Sequence, residues 1–89
     1  MSVAVVILNY NGRKFLADFL PIVLENTQDA AIYVADNGSS DDSLALLAAN
    51  FPNVSVLSWS ENLGYAGGYN YALGQIKADY FVLMNSDIS

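Results

Sequence analysis

Eighty-nine residues, 54% of them hydrophobic, are enough for one small domain with a core, and a mean hydropathy of +0.32 is too apolar for a disordered segment. Nine acidic residues against three basic ones leave a net charge of −6, which argues against nucleic acid as a partner because no basic stripe can track a phosphate backbone. The absence of cysteine and histidine excludes disulfides, thiolate or imidazole metal ligands and a histidine base.

Val3 to Leu8 is continuous, apolar and β-branched, which predicts a strand covered on both faces. Asn9-Tyr10-Asn11-Gly12 is a turn cluster. Beyond it Phe15, Leu16, Phe19, Leu20, Val23 and Leu24 recur at helical spacing, with Pro21 placed to kink the helix or end it early. Ala31 to Ala35 predicts a second buried strand, followed by a polar loop from Asp36 to Asp41. Ser40 or Asp41 is positioned to cap a second helix carrying Leu44, Leu46, Leu47 and Ala48.

Phe51-Pro52-Asn53 ends that helix, and Val54 to Ser58 predicts the third strand. Trp59 to Gly64 reads as a loop. Ala66 to Lys77 reads as a helix with Tyr69, Ala72, Leu73 and Ile76 on one face, although Gly67, Gly68 and Gly74 weaken it. Ala78-Asp79 turns into Tyr80 to Met84, the fourth strand. Strands alternating with helices predict an α/β fold: one domain, residues 1–89, with a doubly wound, mainly parallel four-stranded sheet and helices on both faces. No apolar run reaches the roughly 18–20 residues of a membrane span and no signal-peptide pattern opens the chain, so it reads as soluble and cytoplasmic.

In such a sheet the loops that follow the strands gather at one edge, where open α/β folds bind their ligands. Asp36, after the second strand, can accept hydrogen bonds from a base N–H or a ribose hydroxyl, and Asn9, Tyr10 and Asn11 can offer an aromatic face and amides to a base. Asn62 to Asn70 places glycines at a helix start, where backbone approaches a ligand closely and N–H groups meet negative charge; Asn62, Gly67 and Asn70 are its candidates. Asp87, where the fourth strand stops, is the leading candidate for a metal ligand. An acidic site that takes a phosphate needs a cation, because like charges about 4 Å apart repel by roughly 4 kcal/mol at an effective dielectric near 20. With oxygen ligands alone, that cation is Mg²⁺ or Mn²⁺.

The set of ILNYNG (Ile7 to Gly12), VADNGSSDDS (Val34 to Ser43), ENLGYAGGYN (Glu61 to Asn70) and LMNSD (Leu83 to Asp87) resembles the N-terminal nucleotide-binding half of family 2 glycosyltransferases, the inverting GT-A enzymes. The resemblance covers essentially the whole chain. It implies a sheet order of 3-2-1-4, base contacts from Tyr10, Asn11 and Asp36, and a strand-ending Asp-X-Asp motif for ribose and metal that falls on Asn85 and Asp87. Here the motif is Asn-Ser-Asp, as in members resembling rhamnosyltransferases, so Asn85 brings no charge and the resemblance implies Asp87 as the metal ligand.

The resemblance further implies a UDP- or dTDP-linked sugar donor and transfer of a hexosyl group, rhamnosyl included, to a glycan or lipid-linked acceptor. Membrane association of the intact enzyme is left open. The inverting base is expected beyond Ser89, so the 89 residues alone are expected to be inactive. The rival reading is a non-enzymatic interaction module or degenerate nucleotide-binding domain. A response-regulator receiver is rejected because Asn9-Tyr10-Asn11 supplies no acidic pair, and a dinucleotide dehydrogenase because no Gly-X-Gly-X-X-Gly follows the first strand. An unpaired fourth strand at the sheet edge is expected to recruit a second copy of the chain.

Overall fold

The computed structural model describes residues 2–86. In chain order the elements are β1 (Val3–Asn9), α1 (Arg13–Asn26), β2 (Ala31–Asn37), α2 (Ser43–Asn50), β3 (Ser55–Trp59), α3 (Gly64–Leu73) and β4 (Tyr80–Asn85). All strand pairings are parallel and the order is β3-β2-β1-β4, as expected. β1 sits in the middle, which is why Ala4 through Asn9 are all buried.

Strand alternation divides the core between the two faces of the sheet. Val5 and Ile7 of β1, with Ile32 and Val34 of β2, point to the face covered by α1 and α2, where Leu16, Leu20, Leu46 and Leu47 meet them. Leu16 and Leu20 are fully buried, which stabilises the domain by about 1.5–3 kcal/mol for each such side chain. Ala4, Val6 and Leu8 point the other way, to α3, with Ala35, Ala72 and Ile76. Small residues on this face let a glycine-containing helix come close: a methyl group added at Gly68 would lie 2.9 Å from Leu8 Cδ1.

Several boundaries differ from those expected. α1 runs five residues past Pro21 to Asn26, so the proline does not end it. Pro21 is exposed, while Leu20, Val23 and Leu24 pack against the core and hold the last turns down. α3 begins at Gly64 and ends at Leu73, earlier at both ends than the predicted span. Past Leu73 the chain tightens into i→i+3 bonds, Gln75 N–H to Ala72 O and Ile76 N–H to Leu73 O, and these keep Ile76 on the buried face. The position before α2 is Asp42 rather than Ser40 or Asp41, and no side chain caps it directly. Asp41 instead accepts the Ser43 amide at 3.0 Å and the Ser43 hydroxyl.

β4 pairs only with β1, and Tyr80, Phe81, Val82 and Leu83 are exposed. The sheet edge foreseen for the fourth strand is therefore open among the described residues. At the opposite end of the strands, Ser2 and Asp79 bind each other, Ser2 N–H to Asp79 Oδ2 at 2.8 Å and Asp79 N–H to Ser2 O at 3.0 Å. Asp79 is thus kept away from the carboxyl edge, as its place before β4 implied.

Candidate nucleotide-binding edge

β1, β2 and β4 each run further than their apolar residues, ending in the polar tails Asn9, Asp36-Asn37 and Asn85. In register, Asn9 lies beside Asp36, Leu8 beside Asn85, and Asn37 beside Trp59. Polar side chains are buried at this depth because they satisfy one another; among the described residues no buried side-chain nitrogen or oxygen lacks a partner.

Asn9, fully buried, is the hub. Its Nδ2 donates to Asp36 Oδ1 at 2.9 Å and to Ser39 Oγ at 3.2 Å, while its Oδ1 accepts the Ser86 hydroxyl at 2.7 Å. Asp36, 1% exposed, also accepts the Ser39 amide at 3.1 Å and the Ser39 hydroxyl at 2.7 Å. The tails of β2 and β4 are therefore joined through Asn9 by two hydrogen bonds. Gly12 fits between: a methyl group there would overlap Ser86 Oγ and lie 2.8 Å from Ser86 Cβ.

Asn11 stitches the first two loops together. With φ at 53° it turns its side chain onto the next loop, where Oδ1 accepts the amides of Ser40 at 2.7 Å and Asp41 at 3.1 Å. Its own amide donates to Ser39 Oγ at 2.9 Å. Asparagine is among the few side chains that occupy this left-handed conformation readily.

The ionisation of Asp41 is shifted downward. Partial burial opposes ionisation, but hydrogen bonds from the Ser43 hydroxyl and amide and from the Arg13 amide, with the Arg13 charge, outweigh it. A carboxylate held below its ordinary value of 3.8 adds stability that is fully present above that pH and is lost as pH falls through the folded value. The expected outcome is that Asp41→Asn lowers the urea midpoint near pH 6, and that the gap to the parent narrows progressively as pH falls below 3.8. A gap that stays constant across that range would contradict it.

A pocket of about 240 Å³ opens beside this network, lined by Leu8, Tyr10, Asn37, Asn62, Gly64 and Tyr65. Tyr10 and Asn62 of the predicted set line it. Asn9, Asn11 and Asp36 form the scaffold next to it, their polar atoms engaged with protein partners. Asn85 lies at the end of β4, its Oδ1 accepting the Tyr69 hydroxyl. Gly67 and Asn70 are on α3 and are not among the residues that line the pocket. Asp87 lies outside the described residues. Sequence reasoning passed over Asn37, Gly64 and Tyr65; Gly64 and Tyr65 stood within the recognised ENLGYAGGYN stretch, and Asn37 followed the singled-out Asp36.

Among the described residues no helix is long and apolar enough to cross a membrane, and no group of three or more acidic side chains could hold a metal ion.

The sequence profile of glycosyl transferase family 2 matches residues 4–89. The uncharacterized glycosyltransferase YfnE of Bacillus subtilis is 33% identical over 93 residues, covering 99% of this chain and 24% of YfnE. An N-acetylglucosaminyl-diphospho-decaprenol L-rhamnosyltransferase of Mycobacterium tuberculosis is 32% identical over 73 residues, covering 81% of this chain and 24% of the relative. The chain thus spans about a quarter of the length of each.

Among solved structures, S. aureus TarS 1-349 in complex with UDP-GlcNAc superposes with a TM-score of 0.80 at 25% identity, covering 98% of this chain and 27% of that one. The mannosyltransferase PcManGT of Pyrobaculum calidifontis, in complex with GDP-Man and Mn²⁺, superposes at 0.82 with 22% identity, over 96% of this chain and 27% of that one, and speaks to the fold alone. The parallel β3-β2-β1-β4 sheet, its GT-A neighbours and a profile match over nearly the whole chain agree, and the chain belongs to glycosyl transferase family 2.

Proposed function

We propose that these residues form the donor-binding half of an inverting glycosyltransferase, holding a nucleotide-diphospho-sugar at the carboxyl edge of the sheet. The observation that carries the reading is the pocket lined by Tyr10 and Tyr65, in whose wall no charged side chain stands among the described residues. Its volume is below the roughly 300–1,000 Å³ of sites that enclose a drug-sized ligand, so it suits one part of a nucleotide sugar. Aromatic rings and amides suit the base, leaving the diphosphate to run toward the β4 tail.

A diphosphate is repelled by a chain of net charge −6 unless a cation intervenes. The donor chemistry fits a hard cation: the chain has neither cysteine nor histidine, and Mg²⁺ or Mn²⁺ is commonly held by one or two carboxylates plus substrate phosphates. Asp87 would be that carboxylate, with the Asn85 amide beside it in sequence; when bound, the ion neutralises charge on the departing nucleoside diphosphate. The chain's own contribution is positional. Asn9 and Asp36 fix the ends of β1 and β2, and Ser86 ties the start of the segment carrying Asp87 to Asn9.

The finer reading, transfer of a hexosyl group such as rhamnosyl to a glycan or lipid-linked acceptor with inversion, draws on the family and on the named activity of the mycobacterial relative. Inversion needs a carboxylate base to deprotonate the acceptor, which we assign outside these residues. Titration calorimetry of the 89-residue chain with UDP and with dTDP, each with and without Mn²⁺, tests the proposal. The expected result is weak, Mn²⁺-dependent heat and no sugar transfer. Absence of metal-dependent heat refutes the donor site, and turnover by this chain refutes the assignment of the base.

A further inference from the structure

One wall of the pocket comes from residues 59–64: the last residue of β3, the irregular connection 60–63, and the first residue of α3. Such a segment holds one shape only if something ties it down. Four of the ties come from a single side chain. Asn37, 3% exposed at the end of β2, accepts the Trp59 indole N–H at 2.6 Å and the Leu63 amide at 2.9 Å on Oδ1. Its Nδ2 donates to Asn62 Oδ1 at 3.0 Å and to the Gly64 carbonyl at 3.2 Å. An asparagine side chain has two donor hydrogens and two acceptor lone pairs, so all four capacities are used, and all four partners lie in this connection or at its two ends. Asn62 passes the constraint on, its Oδ1 also accepting the Gly64 amide at 2.8 Å.

We propose that Asn37 is a positioning residue for the donor: its buried carboxamide sets the shape of the 59–64 connection, and through Asn62 and Gly64 it sets affinity for the base. The inference rests on the donor-site reading above, but the role of Asn37 in holding the connection stands on geometry alone. Aspartate has nearly the same shape yet no donor hydrogens. At this position it would turn a second acceptor toward Asn62 Oδ1 and the Gly64 carbonyl, so two attractions become repulsions while the packing volume is kept. Trp59→Phe is the gentler variant, since it deletes one bond of the four and leaves a ring against Tyr71, whose centroid is 4.9 Å away.

The test compares the parent chain, Asn37→Asp, Trp59→Phe and a control, Val54→Ala, which removes core volume beneath α2 away from the pocket. Each is measured for urea stability, for UDP affinity in the presence of Mn²⁺ by calorimetry, and for hydrogen exchange of the Leu63 amide without nucleotide. The expected result is at least roughly tenfold weaker UDP binding for Asn37→Asp, an intermediate loss for Trp59→Phe, and parent-like binding for Val54→Ala despite its lowered stability. Leu63 exchange should speed up in Asn37→Asp beyond what its change in global stability accounts for.

Parent-like affinity and Leu63 protection in Asn37→Asp overturn the proposal, and so does a Val54→Ala variant that loses affinity in proportion to its stability. If the parent itself binds no UDP, the donor reading fails, and the exchange data alone judge the holding role: retained Leu63 protection in Asn37→Asp overturns it and lost protection upholds it. Should Asn37→Asp not fold, Trp59→Phe against Val54→Ala decides by the same comparisons.

Discussion

Replacing Asn9 with leucine is expected to destabilise the chain by about 3 kcal/mol, a large share of the roughly 5–15 kcal/mol that holds a domain together. Leucine is branched like asparagine but larger and without polar atoms, so overpacking of a fully buried site adds to the loss of hydrogen bonding. Asp36 loses the donor at 2.9 Å and keeps only those of Ser39, while the Ser86 hydroxyl loses its acceptor. A carboxylate that is 1% exposed has no water to turn to. Urea unfolding of the single variant, and of Asn9→Leu combined with Asp36→Val, measures this. The double variant is expected to recover part of the loss, because no charge is then left stranded. A single variant within about 1 kcal/mol of the parent would mean that Asp36 does not depend on Asn9.

Gly38→Ala is expected to be nearly as costly, with Gly64→Ala as its internal reference. Both glycines have left-handed backbone, φ 78° at Gly38 and 74° at Gly64, so either alanine carries a conformational cost of about 1–2 kcal/mol. They differ in what the new methyl group meets. At Gly64 nothing lies within 4 Å, whereas at Gly38 it would be 2.6 Å from the Glu61 carbonyl carbon and 2.8 Å from the Asn62 nitrogen. Those are backbone atoms, which cannot swing aside, and overlap of this kind adds about 1–3 kcal/mol. The measurement is the difference between the two urea midpoints. Equal losses would show that the 38 and 61–62 backbones are not in contact, and the pocket wall that contains Asn62 would need another explanation.

Four apolar runs alternating with helical patterns were legible directly, and they produced the right class of sheet. The burial of β1 on both faces was foreshadowed by its unbroken Val3–Leu8 run, whereas the equally apolar Tyr80–Met84 run is an edge strand exposed over Tyr80–Leu83. Of the two outcomes read from Pro21, the early end did not occur, because α1 is held by the packing of Leu16, Leu20, Val23 and Leu24 against the core and keeps the proline on its exposed side. α3 was misread at both ends for a related reason. Its glycines disfavour a helix by propensity, and they are accommodated because Gly68 lets the helix approach Leu8 and Asn37.

At the binding edge the same division recurs. The sequence placed Tyr10, Asn62, Asp36 and Asn85 at one end of one sheet, because parallel strands joined by right-handed crossovers must present their carboxyl ends together. That inference uses only period and connection, and both are properties of the linear chain. Which polar groups face a ligand and which face one another depends on partners far apart in the chain, such as Ser86 and Asn9, 77 residues apart. Hydrogen-bond capacity is a property of a residue, but its use is settled only when packing removes water and each buried group takes whatever donor or acceptor the fold has brought within reach. Asn37 is the clearest case: one more polar residue in a polar stretch by sequence, and by structure the side chain on which one wall of the pocket hangs.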